Sequence, residues 1–185
     1  MQRQRLSVEL RAEVSGDRLA GHAAVFGQYA DLGTHLEELA PSAFDDVLAG
    51  EPDVRALINH DPSLLLARTR NGSLKLGTDA AGLTFELDLP DTTYANDLRE
   101  LVGRGLLTQM SFGFIPGKHE RASLDGRRVV RHTGIADLFD VSPVTYPAYE
   151  STDVALRAYV PCRAPRVTAR EQVLRLRAAN MKGKA

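Results

Sequence analysis

Three residues far apart in the chain carry the parts of a hydrolytic site. Ser111 lies in Gln109-Met110-Ser111-Phe112-Gly113-Phe114. His60 ends the largely apolar run Leu57-Ile58-Asn59-His60, and Asp140 lies in Asp137-Leu138-Phe139-Asp140-Val141-Ser142-Pro143. A hydroxyl is a poor nucleophile near neutral pH; it needs a base within hydrogen-bond reach and donors for the oxyanion that forms. Histidine titrates near 6.5, so a neutral imidazole is readily available. A carboxylate can fix the imidazole tautomer and stabilise the imidazolium. His60 is the candidate base, Ser111 the candidate nucleophile, and an acid near Asp140 the candidate orienting group.

The elements around these residues must bring them together. Side chains alternate along a strand. Met110, Phe112 and Phe114 therefore share a core face, and Ser111, Gly113 and Ile115 share the other. Gly113 has no side chain, so it is expected to leave the wall beside Ser111 open as a substrate-binding position for an extended peptide. His60 continues the alternation of Val54, Ala56 and Ile58, although Asp61 next to it could satisfy the ring instead. Strict alternation groups Asp140 with Leu138 and Ser142, and Asp137 with Phe139 and Val141.

Leu6 to Val14 alternates as a half-buried strand, Ser15-Gly16-Asp17 turns, and Arg18 to Phe26 reads as its antiparallel partner. Gly27 to Leu39 shows no strong period and reads as a loop. Ser42 is placed to cap a short helix over Ala43 to Leu48 that stops at Gly50. Leu64 to Thr69, Asn71-Gly72 and Leu74 to Gly77 read as a hairpin. Leu83 to Leu89 alternates, Thr92 or Thr93 opens a helix through Val102, Leu124-Asp125-Gly126 turns into Arg128 to His132, and a last strand runs from Leu138 to Thr145. The expected class is α+β, mainly β: a closed or near-closed antiparallel β-barrel flanked by a few helices. Beyond Pro161 the composition turns basic, so residues 1–160 read as one domain and 161–185 as a linker and tail helix.

Composition removes several classes. At 185 residues, 43% hydrophobic and 25% charged, the chain has the content of a globular protein. A net charge of −1 gives no nucleic-acid footprint, and 6% aromatic content without tryptophan does not suit a base-stacking platform. Cys162 is the single cysteine, so no intramolecular disulfide forms. Neither a membrane-length apolar run nor a signal-peptide core is present. No zinc spacing or phosphate-binding glycine loop occurs, so no metal or cofactor is expected. The Gly-x-Ser-x-Gly elbow of lipase-like hydrolases is also missing.

The order and spacing of several blocks carry a resemblance. These are Gly21-His22-Ala23-Ala24-Val25-Phe26, Ala40-Pro41-Ser42-Ala43-Phe44, Asn59-His60-Asp61, Gly82-Leu83, Ser111-Phe112-Gly113-Phe114 and Asp140-Val141-Ser142-Pro143-Val144-Thr145-Tyr146-Pro147-Ala148. Over roughly residues 8–158 the chain resembles the tailed-phage prohead proteases, capsid maturation enzymes distantly similar to the herpesvirus assemblins. That resemblance implies a serine endopeptidase acting inside the prohead in the host bacterial cytoplasm. Its substrates would be scaffold, a segment of the major capsid protein, and the protease itself. The assemblins imply a homodimer and oxyanion donors among the Val141–Thr145 amides. The family usually places Glu where Asp140 stands, whereas the assemblins use a second histidine, for which His132 is the alternative; Asp137 is a further one. Ala67 stands where glycine is common, which keeps a non-catalytic capsid-assembly or scaffolding protein as the rival reading.

Overall fold

The computed structural model describes residues 13–15 and 17–146. Most of the strand expected from Leu6, the 160/161 boundary, Cys162 and the basic tail helix lie outside the described residues. In chain order the strands are β1 (Glu13–Ser15), β2 (Arg18–Val25), β3 (Ala30–Asp31), β4 (Leu36–Leu39), β5 (Arg55–Ile58), β6 (Asp61–Arg68), β7 (Leu74–Thr78), β8 (Gly82–Asp88), β9 (Gln109–Pro116), β10 (His119–Leu124), β11 (Arg127–His132) and β12 (Ile135–Val144). The helices are α1 (Asp45–Ala49) and α2 (Thr93–Gly103).

The mainly β class holds, but among the described residues no closed barrel is found. Three four-stranded sheets form, in the orders β1-β2-β8-β7, β10-β11-β4-β3 and β6-β5-β12-β9. β2 lies beside β9 without a ladder joining them. Nor is the pairing all antiparallel, because β12 runs parallel to β5 and β11 parallel to β4.

Alternating apolar residues build the core. Leu83, Phe85 and Leu87 of β8 and Met110, Phe112 and Phe114 of β9 are buried in one cluster with Phe44. Phe44 meets Phe112 edge-on at 5.6 Å, and Phe112 stacks on Phe114 at 4.9 Å. Each such ring contributes about 1.5–3 kcal/mol by leaving water. α2 adds Ala95, Leu98 and Val102, and the Thr92 hydroxyl caps it by accepting the Ala95 N–H at 3.4 Å. At the base of β8, a Cβ on Gly82 would stand 1.9 Å from the Ala24 carbonyl oxygen, so only glycine lets these backbones approach.

Several local expectations are corrected. Gly27 to Leu39 contains β3 and β4; Leu36 and Leu39 are buried three residues apart, a spacing that gives no strand period. α1 starts at Asp45 after an N-cap at Phe44 with no side-chain hydrogen bond, so Ser42 does not cap it. The segment 64–77 is not a hairpin. β6 pairs with β5, β7 pairs with β8, and a single 3-10 turn over Thr69–Asn71 carries the chain from one sheet to another. β10 pairs with β11 through a two-residue turn, Asp125-Gly126, with both residues left-handed.

Candidate active site

The sheet β6-β5-β12-β9 holds all the expected site residues or the turn that carries them. Across β12 and β9, Asp140 stands opposite Gly113, Val141 opposite Phe112, and Ser142 opposite Ser111. Directly paired residues share a sheet face. Phe112 and Val141 belong to the core, so Ser111, Gly113, Asp140 and Ser142 occupy the opposite face.

Asp140 reaches that face through a bulge. The register shifts between Leu138 and Asp140, leaving Phe139 as the extra residue, with Leu138 opposite Phe114 and Asp140 opposite Gly113. Phe114 and Gly113 are neighbours on β9 and point to opposite sides, so Leu138 and Asp140 do too. The strict alternation that grouped Leu138 with Asp140 is therefore corrected: Leu138 enters the core and the carboxylate turns away from it.

His60 sits in a two-residue turn joining β5 to β6, with Asn59 at φ 51° and His60 at φ 59°. Two consecutive left-handed residues make the mirror-image hairpin turn, a conformation in which Asn and His are both enriched. Asn59 ties the turn to the end of β12. Its N–H donates to the Pro143 carbonyl at 2.9 Å, and its Oδ1 accepts the Thr145 N–H at 2.9 Å. From there the imidazole folds over the sheet, and His60 Nδ1 meets Asp140 Oδ1 at 2.6 Å. That bond leaves Nε2 as the nitrogen available for proton transfer, because Nδ1–H is the donor to an ionised carboxylate.

Asp61 does not compete for the ring. Its carboxylate accepts from Ser63 Oγ at 2.6 Å and Ser63 N at 2.8 Å. The Ser63 hydroxyl first, and its N–H second, hold the Asp61 carboxyl below the usual carboxylate range.

Asp140 is 8% exposed and Ser142 fully buried. Ser142 Oγ donates to the same Asp140 Oδ1 at 2.5 Å. The other oxygen, Oδ2, fills the space beside Gly113: a Cβ there would be 2.3 Å away from it. Gly113 was expected to leave a gap for substrate beside Ser111; the gap instead receives the Asp140 carboxylate. Ser111 is 6% exposed and is not hydrogen-bonded to His60. Bonds of this kind are often long before substrate binds.

Of the alternatives to Asp140, His132 lies across the sheet, whereas Asp137, opposite Ile115, lies on the Ser111 face but near the start of β12. His132 is 3% exposed and packs edge-on against Phe114 at 5.6 Å, on the core side of β9, across the sheet from Ser111. Its Nε2 stands 3.3 Å from Glu37 Oε2, an ion-pair distance without hydrogen-bond geometry. Asp137 is exposed and accepts the Leu138 N–H at 2.9 Å. Among the Val141–Thr145 amides, Pro143 has no N–H and Thr145 gives its own to Asn59. Ala67 is a core residue of β6 opposite Ala56. The sequence reading assigned no role to Asn59 or Ser142; an asparagine just before a histidine at a strand exit is the local signal for the first.

A serine, an imidazole and a carboxylate thus lie on one sheet of a mainly β protein. The chain belongs to the caudovirus prohead serine protease family, whose model matches residues 6–163. No curated protein and no solved structure matched the chain. Membership makes it a serine peptidase of phage capsid maturation, with a capsid protein substrate inside the prohead. Among the described residues no helix is long and apolar enough to cross a membrane.

Proposed function

We propose that the chain is an endopeptidase in which Ser111 attacks the scissile carbonyl, His60 takes the proton and returns it to the leaving amine, and Asp140 orients the imidazole. The supporting observation is the 2.6 Å contact between His60 Nδ1 and Asp140 Oδ1, on the sheet face that also carries Ser111. The Ser111 alkoxide equivalent forms as Oγ gives its proton to Nε2. The resulting imidazolium is stabilised by the carboxylate, and the acyl-enzyme is then released by water activated in the same way. The substrates are the scaffold or the scaffolding segment of the major capsid protein, followed by the protease itself.

Co-expression of the protein with its phage's capsid protein, read by intact masses of both, tests this. Parent protein should shorten the capsid protein and itself, while Ser111→Ala and His60→Ala should leave both at full length. Full processing by Ser111→Ala would refute the assignment of the nucleophile.

A further inference from the structure

Asp140 Oδ1 receives two donors, and only one of them belongs to the triad. Ser142 Oγ is 2.5 Å from the oxygen that His60 Nδ1 approaches to 2.6 Å. Ser142 is fully buried and is the direct cross-strand partner of Ser111, so its hydroxyl lies on β12 between the nucleophile's strand and the imidazole. We propose that Ser142 is a positioning residue of this site: its hydroxyl locks the rotation of the Asp140 carboxylate and shares the charge that His60 sees.

An aspartate carboxylate turns about its Cβ–Cγ bond unless both oxygens are held. Here Oδ2 is stopped against Gly113, where even a Cβ would be only 2.3 Å away. Oδ1 is held by Ser142 from within its own strand and by His60 from the neighbouring turn. Burial of Asp140 to 8% exposure penalises its charge, and donors offset that penalty. A buried serine needing only satisfaction would be served by any backbone carbonyl. This one instead spends its proton on the atom that orients the base, and a second donor there draws negative charge away from the imidazole.

Removing the hydroxyl leaves the carboxylate freer to turn away from His60, so the imidazole is aimed less well in the transition state. The inference rests on the proposed triad, and its test separates the two. Parent protein, Ser111→Ala, Ser142→Ala and Ser142→Cys are assayed on purified capsid protein, with thermal melts of each. Cysteine keeps a donor at this position, a weaker one on a larger atom.

The expected result is a kcat about ten- to a hundredfold lower for Ser142→Ala with KM within about twofold and a parent-like melt, with Ser142→Cys between it and the parent. Should Ser142→Ala fail to fold, Ser142→Cys alone must show the lowered kcat at unchanged KM. Parent-like kcat in a folded Ser142 variant, with Ser111→Ala inactive, would overturn the positioning role and leave the triad standing. Parent-like activity in Ser111→Ala would overturn the triad, and this inference with it.

Discussion

Gly113→Ala is the sharpest probe of how the acid is held. An ideal Cβ at residue 113 stands 2.3 Å from Asp140 Oδ2 and 3.3 Å from its Cγ. Ordinary contact begins near 3.4 Å, so the carboxylate must retreat by about 1 Å. A retreat of that size stretches the 2.6 Å bond to His60 Nδ1 beyond hydrogen-bond range. The fold should survive. The clash is with the end of a side chain, Gly113 does not have a positive φ, and alanine suits a strand interior better than glycine by about 0.5–1 kcal/mol. The loss therefore falls on chemistry. A misplacement of about 1 Å costs about a hundredfold in rate, or about 2.7 kcal/mol of barrier. Steady-state cleavage of purified capsid protein, beside a thermal melt, should show kcat falling with KM nearly unchanged and the melting temperature kept. A variant with kcat within about threefold of the parent, or one that raises KM alone, would refute the reasoning; the second result would mean that glycine makes room for substrate.

Asp140→Asn should lower kcat by about a thousandfold or more through loss of the tautomer control, whereas His132→Ala should change the melting temperature and spare kcat; a greater rate loss for His132→Ala in the same assay would reverse the assignment. Gly82→Ala should destabilise the fold by about 3 kcal/mol or more in a urea titration, because the new Cβ would stand 1.9 Å from a backbone oxygen that has no cheap way to move. Asp53 bonds Arg68, whose hydrogen bonds are the main cause holding its carboxyl down to about 2, with the Arg55, Arg68 and Arg70 charges adding to them against desolvation. A folded-state value below the ordinary 3.8 means its stabilisation is present above that pH and is lost as pH falls toward about 2. The melting-temperature gap between the parent and Asp53→Asn should therefore be widest above pH 4 and close on acidification.

What could be read from the residues, and what could not, divides along physical lines. β8 announces itself because it buries one face and keeps a period of two, and β9 because Met110, Phe112 and Phe114 alternate with smaller residues even though both of its faces are buried. α2 is legible through Thr92 at its cap and its apolar side. β4 is not, since its longer ladder is with the parallel strand β11, nearly a hundred residues on, its local partner β3 is only two residues long, and Leu36 and Leu39 mark burial without alternation. Asn71-Gly72 gave a real turn signal, with Gly72 at φ 77°, but it belongs to a crossing between sheets. His60 and Ser111 were readable as chemistry. Asp140 was readable as an acid, yet its direction depends on the bulge at Phe139, which no glycine or proline marks. Its reach, short by a methylene beside glutamate, is met because the imidazole arrives on a left-handed turn and because Gly113 yields the volume of a side chain.

The imidazole and the carboxylate that meet in this sheet are separated by 80 residues of chain. β12 is the last strand made among those described, and it seats between β5 and β9, both synthesised earlier. Until it docks, His60 has no acid to aim it and the turn at Asn59 has no Pro143 or Thr145 to grip. On the proposed triad, a chain in which β12 has not yet seated holds no carboxylate beside His60, so the strand order puts completion of the site at the end of the described fold.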